Sequence, residues 1–264
     1  MTTTQTLPAK QEAQPTPLQT IRDLITKNKA NIEAALPKDM TVQTLMRLAA
    51  TALQQNPGLL ECAPVTLIGA IIKARELDLS ISSVARQAAL VPYWNNRKNR
   101  FEVQFQPMYG GLMNLAWRSD KIGPIYAETV YAKDHFTFRY GVPKLLDHVP
   151  STDPDRGLIT HFYAVAEWLT GQVQFVVMPV AEIQAIRDRY SKSFSKSGKD
   201  STWGTNFKEM GEKTAIIRLC KDLPLSTKTH EVIGLAEKAD TGIAQDLGTL
   251  IDPEERATLP AASE

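Results

Sequence analysis

Cysteine is nearly absent. Cys62 and Cys220 are the only two in 264 residues, far apart and without a C-x-x-C partner. That excludes a disulfide framework and a cysteine zinc site, and it fits a reducing compartment. Long apolar runs are missing too: none approaches the roughly 18 residues that a membrane-crossing helix needs. The opening "MTTTQTLPAKQEAQPTP" has no apolar stretch of the kind a secretory signal carries. The expectation is a cytoplasmic protein without membrane contact. Catalytic signatures are equally scarce. Gly198-Lys199 is followed by Asp200, and position 193 is Ser, so there is no P-loop for a nucleoside triphosphate. Neither G-x-S-x-G nor H-E-x-x-H occurs, and the four histidines (His135, His148, His161, His230) are scattered. Asp134, Asp147, Asp153, Asp155 and Glu167 cluster loosely, at no spacing that forces convergence. Solvated loop acids are the plainer reading, with a metal-dependent nuclease kept as an alternative. No cofactor, metal or catalytic residue is expected.

What is present is unevenly distributed charge. The formal net charge is +1, yet residues 231–264 hold eight acids and two bases, or −6, which leaves +7 on residues 1–230. A basic body with an acidic tail suits a nucleic-acid binder, and equally an ordinary protein with a solvated tail. Residues 1–17 have little to bury and read as disordered. Leu18, Ile21, Leu24, Ile25, Ile32 and Leu36 then recur at helical spacing up to Pro37. A second helix starts after Thr41 as N-cap and stops at Asn56-Pro57-Gly58, and a third opens at Pro64.

The period next changes to that of strands. "QAALVPYW" and "RFEVQFQP" flank the hairpin tip "NNRKN". "YGGLMNLAWRSD" is a short helix, "IGPIYAETVYAKD" and "HFTFRYG" are strands, and "GLITHFYAVAEWLTGQVQFVVMP" is a hairpin turning at Thr170-Gly171. Pro179 opens another helix, a Ser/Lys-rich loop follows, and "WGTNFKEMGEKTAIIRLCKDLP" is the last helix. The fold class is therefore α+β: a helical N-terminal lobe, a central and mostly antiparallel sheet with a packed helix, then C-terminal helices and a flexible acidic tail. The boundaries are 1–17 disordered, 18–230 core, 231–264 tail.

Candidate phosphate contacts fall in four groups. In the last helix, Ile216, Leu219, Cys220 and Leu223 form the core stripe, while Lys213, Ile217 and Lys221 follow at i, i+4, i+8 on the far side beside Arg218. The loop before it holds Lys192, Lys196 and Lys199 among serines able to donate to phosphate oxygens. The hairpin tip holds Arg97, Lys98 and Arg100 next to Tyr93, Trp94 and Phe101, a mixture suited to single strands, where cations follow the backbone and rings stack on bases. Its tip is expected to touch DNA or a neighbouring protomer instead of the chain's own core. The block from Tyr109 to Lys121 adds Tyr109, Arg118 and Lys121, with Gly110 and Gly111 permitting close approach of another backbone. Each group has a plain alternative: a solvated face, core aromatics, or cations that favour a helix C-terminus.

At these residues the chain resembles the RecT family of phage and prophage single-strand annealing proteins, from about residue 40 to 226. The segments that carry the resemblance are "ALVPY", "YGGLMNLAWRSDKI", "VYAKDHFTFRYG", "HVP", "THFYAVAEW", "VQFVVM" and the last helix. The resemblance implies a protein that binds single-stranded DNA and pairs complementary strands without ATP, with single-stranded DNA and annealed duplex DNA as its partners. It implies homo-oligomeric rings or helical filaments with one continuous basic groove, and a companion 5′→3′ exonuclease. The acidic tail is expected to engage that exonuclease or a host single-strand-binding protein. By the same resemblance Lys213, Arg218 and Lys221 lie in the family's last core helix, and Arg118 and Lys121 in its central block. A structural phage oligomer with an incidental basic face is the further alternative.

Overall fold

A computed structural model describes residues 17–82, 84–118 and 122–252 of the chain. The expected disordered segment 1–17 lies outside these residues apart from Pro17, as do Lys121 and residues 253–264. The N-terminal lobe holds α1 (Pro17–Lys27), α2 (Lys29–Ala35), α3 (Val42–Gln55) and α4 (Pro64–Glu76). The first pair was expected as one helix and is interrupted at Asn28, whose φ/ψ of −108°/26° leaves the helical region. Thr41 caps α3 by accepting from the Thr44 amide at 3.1 Å, and Pro64 occupies the first turn of α4. Every residue of α4 from Val65 to Ile72 is buried, so this helix is the lobe's axis and not an amphipathic surface element.

The sheets follow. β1 (Ala88–Asn95) and β2 (Arg100–Pro107) form the first hairpin, in register from Ala88–Pro107 to Asn95–Arg100. After α5 (Tyr109–Trp117) come β3 (Ile122–Tyr131), β4 (His135–Arg139), β5 (Leu145–Val149), β6 (Ile159–Trp168) and β7 (Val173–Pro179). β6 is the centre of an antiparallel three-stranded sheet, β3-β6-β7, and β4-β5 is a separate antiparallel pair. β5 was not foreseen as a strand. Period-two alternation divides the sheet residues between two layers. Phe162, Ala164, Ala166 and Met178 join the main core, whereas Val130, Tyr163, Val165, Phe175 and Val177 form a second cluster closed by Phe136 and Leu146 of the β4-β5 hairpin.

The C-terminal part comprises α6 (Val180–Tyr190), α7 (Lys192–Ser197), α8 (Thr202–Thr205), α9 (Phe207–Lys221) and α10 (Thr227–Thr241), with a short 3₁₀ turn at Leu247–Leu250. The segment read as one last helix is thus α8 plus α9, and the Ser/Lys-rich loop is mostly helical. α9 packs across β6. A Cβ added at Gly211 would come within 2.4 Å of the Phe162 ring, so only glycine lets helix and sheet approach this closely.

The boundary at residue 230 is overturned. α10 buries Val232, Ile233, Leu235 and Ala236, and Leu247 and Ile251 are buried beyond it. Ser226 caps the helix by accepting from the Thr229 amide at 3.2 Å, and Gly242 ends it in the left-handed region at φ 62°. The acidic count of this segment concealed an amphipathic helix whose apolar side belongs to the core.

Candidate nucleic-acid interface

α9 carries the first group of expected contacts, and the structure divides it. Its apolar stripe is confirmed, since Ile216, Leu219, Cys220 and Leu223 are all buried. The far side is not free, because α10 covers part of it. Ile217 is buried there, and Lys213 keeps only 9% of its side chain in solvent. Lys213 Nζ donates to both carboxylate oxygens of Asp240, at 2.9 and 3.2 Å. A buried lysine committed to a partly exposed carboxylate ties two helices together, so Lys213 is a structural cation in this arrangement. Lys221 is half-exposed and ion-paired with Glu237 of α10. Arg218 is exposed and has no ion-pair partner among the described residues.

Arg218 and Lys221 open onto a cleft of about 730 Å³ between α6, α9 and α10. Met178, Ile186, Trp203 and Ile217 line its apolar part, and Arg189 and Lys238 add two exposed cations that the sequence reading had not singled out. Three carboxylates also line it: Glu182, Glu237 and Asp240. Lys213 already neutralises Asp240, so the four lining cations Arg189, Arg218, Lys221 and Lys238 are set against Glu182 and the Lys221 partner Glu237, an excess of two positive charges. Upstream, Lys196 and Lys199 are exposed and free of ion pairs among the described residues, while Lys192 contributes its backbone to α7. Two serines of this stretch have local work. Ser191 and Ser201 cap α7 and α8, accepting from the Phe194 and Gly204 amides at 3.2 Å each.

The hairpin tip corrects a second expectation. It leans on the chain's own C-terminal segment instead of standing clear. Tyr93 donates its hydroxyl to the Gly242 carbonyl at 2.6 Å, Gln104 donates to Ile243 O at 3.2 Å, and Gln245 exchanges 2.8 Å bonds with the amide and carbonyl of Phe105. Arg97 and Lys98 both approach Asp246, at 3.5 and 3.7 Å. Glu102, buried within β2, accepts from Asn95 at 2.8 Å and from two nitrogens of Arg100 at 3.1 and 2.8 Å. The basic tip is therefore largely neutralised from below. Arg97, at 57% side-chain exposure, is the tip cation most open to solvent. Trp94 is exposed and braced edge-on by Phe101, with ring centroids 4.9 Å apart.

In the central block, the close approach expected at Gly110 and Gly111 is observed. Added Cβ atoms would meet Arg86 O at 2.7 Å and Gln87 O at 2.2 Å, so the approaching backbone is the segment leading into β1. Tyr109 is partly exposed at the start of α5, and burial followed by the charges of Glu212 and Glu128 pushes its phenol upward. Arg118 caps the other end, exposed, with its guanidinium 4.0 Å from Asp78.

The nuclease alternative finds no constellation. Among the described residues no group of three or more His, Cys, Asp or Glu side chains is arranged to hold a metal ion. Asp134 has no exposed side-chain surface. It accepts from the amides of Tyr131 and Ser151 at 2.8 and 2.9 Å and from Arg156 at 2.9 and 2.6 Å, and His148 Nε2 lies 3.2 Å away. The Arg156 guanidinium, helped by these bonds, holds the carboxyl well below the usual range despite burial. Asp153 and Asp155 both approach Lys133, at 2.8 and 3.4 Å. Burial pushes the thiols up, Cys62 to about 11 and Cys220 to about 12, so neither is a nucleophile near neutral pH. No helix among the described residues is long and apolar enough to cross a membrane.

Comparison with known proteins points one way. Residues 43–247 match the model of the RecT family. The chain is also similar to Protein RecT of Escherichia coli (strain K12), at 34% identity over 236 residues covering 86% of each chain. The match extends through α10 to Leu247, agreeing with the packing that makes this helix part of the folded core.

Proposed function

From the premise that this chain belongs to the RecT family, we propose that it binds single-stranded DNA along a basic groove and anneals complementary strands in recombination without ATP. The family makes it a recombination and annealing protein and not an enzyme; the strand path and the residues that line it are the proposal. The observation that carries it is the excess of two positive charges around the α6/α9/α10 cleft, with Arg218 unpaired among the described residues. Phosphates of one strand replace water on Arg218, Arg189 and Lys238, and exchange with Glu237 on Lys221. Lys196 and Lys199 extend the contact upstream.

Pairing two strands brings two rows of negative charge together, and neutralising the first row lowers that repulsion. Correct base pairs then add about 1.4 kcal/mol per step in duplex DNA, and mismatched segments gain less and leave. Such a cycle needs positioning and charge, with no bond made or broken in the strand. The chain acts as a homo-oligomer, a ring or filament that joins the clefts of successive protomers, beside a 5′→3′ exonuclease that exposes the strand and a host single-strand-binding protein that covers it.

The test mixes two complementary labelled oligonucleotides with the protein in the absence of nucleoside triphosphate. Duplex should form faster than without protein, with the strand ends intact. Failure to accelerate pairing, or metal-dependent loss of the labelled ends, would overturn the reading.

A further inference from the structure

A second cluster of cations lies away from the α6/α9/α10 cleft. Asp78 follows α4 with its backbone in the left-handed region at φ 54°. Three cations from three elements surround it. Lys228, in the first turn of α10, donates to its Oδ2 at 2.8 Å, Arg118 at the end of α5 comes to 4.0 Å, and the positive charge of Arg75 in the last turn of α4 acts on it as well. All three are at least 40% exposed. Arg75 has its own partner in Asp39 and Lys228 has Asp78, so among the described residues Arg118 is the cation in excess. A lysine in the first turn of a helix opposes the macrodipole, so helix stability does not account for Lys228. Trp117, next to Arg118, is 59% exposed and makes no ring contact among the described residues. A large exposed ring beside a cluster of exposed cations with net positive charge is the combination that holds single-stranded nucleic acid, by stacking a base while the cations take its phosphates.

Resting on the annealing reading above, we propose that Trp117, Arg118 and Lys228 form a second single-strand contact, with a base on the Trp117 ring and the adjoining phosphates on Arg118 and Lys228. Both contacts touch α10: Lys228 begins the helix and Lys238, ten residues on, lines the other cleft. At about 1.5 Å per residue they stand about 15 Å apart along its axis. Covering that axial distance takes between about four and five nucleotides at a rise of about 3.4 Å, within the length of a short oligonucleotide that also follows the turn of about 80° between the two positions around the helix.

The experiment measures binding of a fluorescently labelled oligothymidylate over a range of salt, using the full chain and its Trp117→Ala, Trp117→Phe and Arg118→Gln variants. Trp117→Ala should weaken binding at least about fivefold, the low end for loss of one stacked base, and Trp117→Phe should restore most of it. Arg118→Gln should make the slope of log affinity against log salt shallower by about 0.7. Melting temperatures should stay unchanged, because both side chains are exposed. Wild-type binding with unaltered affinity and slope in all three variants overturns this contact and leaves the annealing reading standing. Smaller assemblies of the variants in sedimentation would make the patch a protomer contact and also overturn it. Absence of binding by the wild type would instead remove the reading on which it rests.

Discussion

Lys213 separates a reading from sequence from a reading of packing. On sequence it is a phosphate ligand; in the fold it is 9% exposed and bonded twice to Asp240, itself 26% exposed. Replacing it with Met keeps most of the volume and removes the charge. Breaking a fully buried pair costs about 3–5 kcal/mol, mostly because a charge is left without a partner. Asp240 retains a quarter of its surface in water, which screens part of that penalty, so about 2 kcal/mol is the expected loss. For a domain of this size that corresponds to a fall in melting temperature of about 4–8 °C. The salt dependence of single-strand binding should not change. A double variant, Lys213→Met with Asp240→Leu, should recover much of the stability, because replacing both partners of a buried pair by apolar groups is often near neutral. Thermal unfolding and a salt titration of each variant decide the matter. A Lys213→Met protein that melts with the wild type and shows a slope shallower by about 0.7 would refute the structural assignment.

Other consequences follow from the same contacts. Glu237→Gln frees Lys221 and should tighten single-strand binding at low salt, an effect that fades as the Debye length falls to about 8 Å; equal affinity at low salt would show that Glu237 does not compete with phosphate. Gly211→Ala drives a methyl into the fully buried Phe162 ring and should cost about 1–3 kcal/mol in urea unfolding. Because the folded Asp134 carboxyl is depressed, its contribution is complete above the unfolded value of about 3.9 and is lost as pH falls below it. Asp134→Asn should therefore be less stable than wild type at neutral pH and approach it in acid, as read from melting temperature against pH. Deleting residues 231–264 removes the buried face of α10 and should give unfolded or aggregated protein, seen as loss of a cooperative melting transition.

Period-two alternation located both long hairpins, and the i, i+3, i+4, i+7 stripe of α9 located one buried side of that helix, because each pattern answers to a single buried surface. α9 has two. The sheet covers one side and α10 another, and no local pattern in residues 207–221 reports a helix that arrives afterwards. That is why Lys213 and Ile217 read as outward-facing. α10 itself left signals, a Ser226 cap, Gly242 as a stop and Val232, Ile233, Leu235 and Ala236 on one side, but the acidic count outweighed them. The pairing of Asp246 with the hairpin tip joins residues about 150 positions apart, and charge totals contain nothing of such contacts. Arg189 and Lys238 joined the candidate cleft only once α6, α9 and α10 were brought together.

The most direct test of the strand path is charge reversal at Arg218. This exposed side chain has no ion pair among the described residues, so Arg218→Glu should melt with the wild type. Annealing of complementary oligonucleotides without nucleotide should slow by at least about tenfold at moderate salt, since one attraction becomes one repulsion. Annealing at the wild-type rate by a fully folded Arg218→Glu protein would contradict the placement of the strand in this cleft.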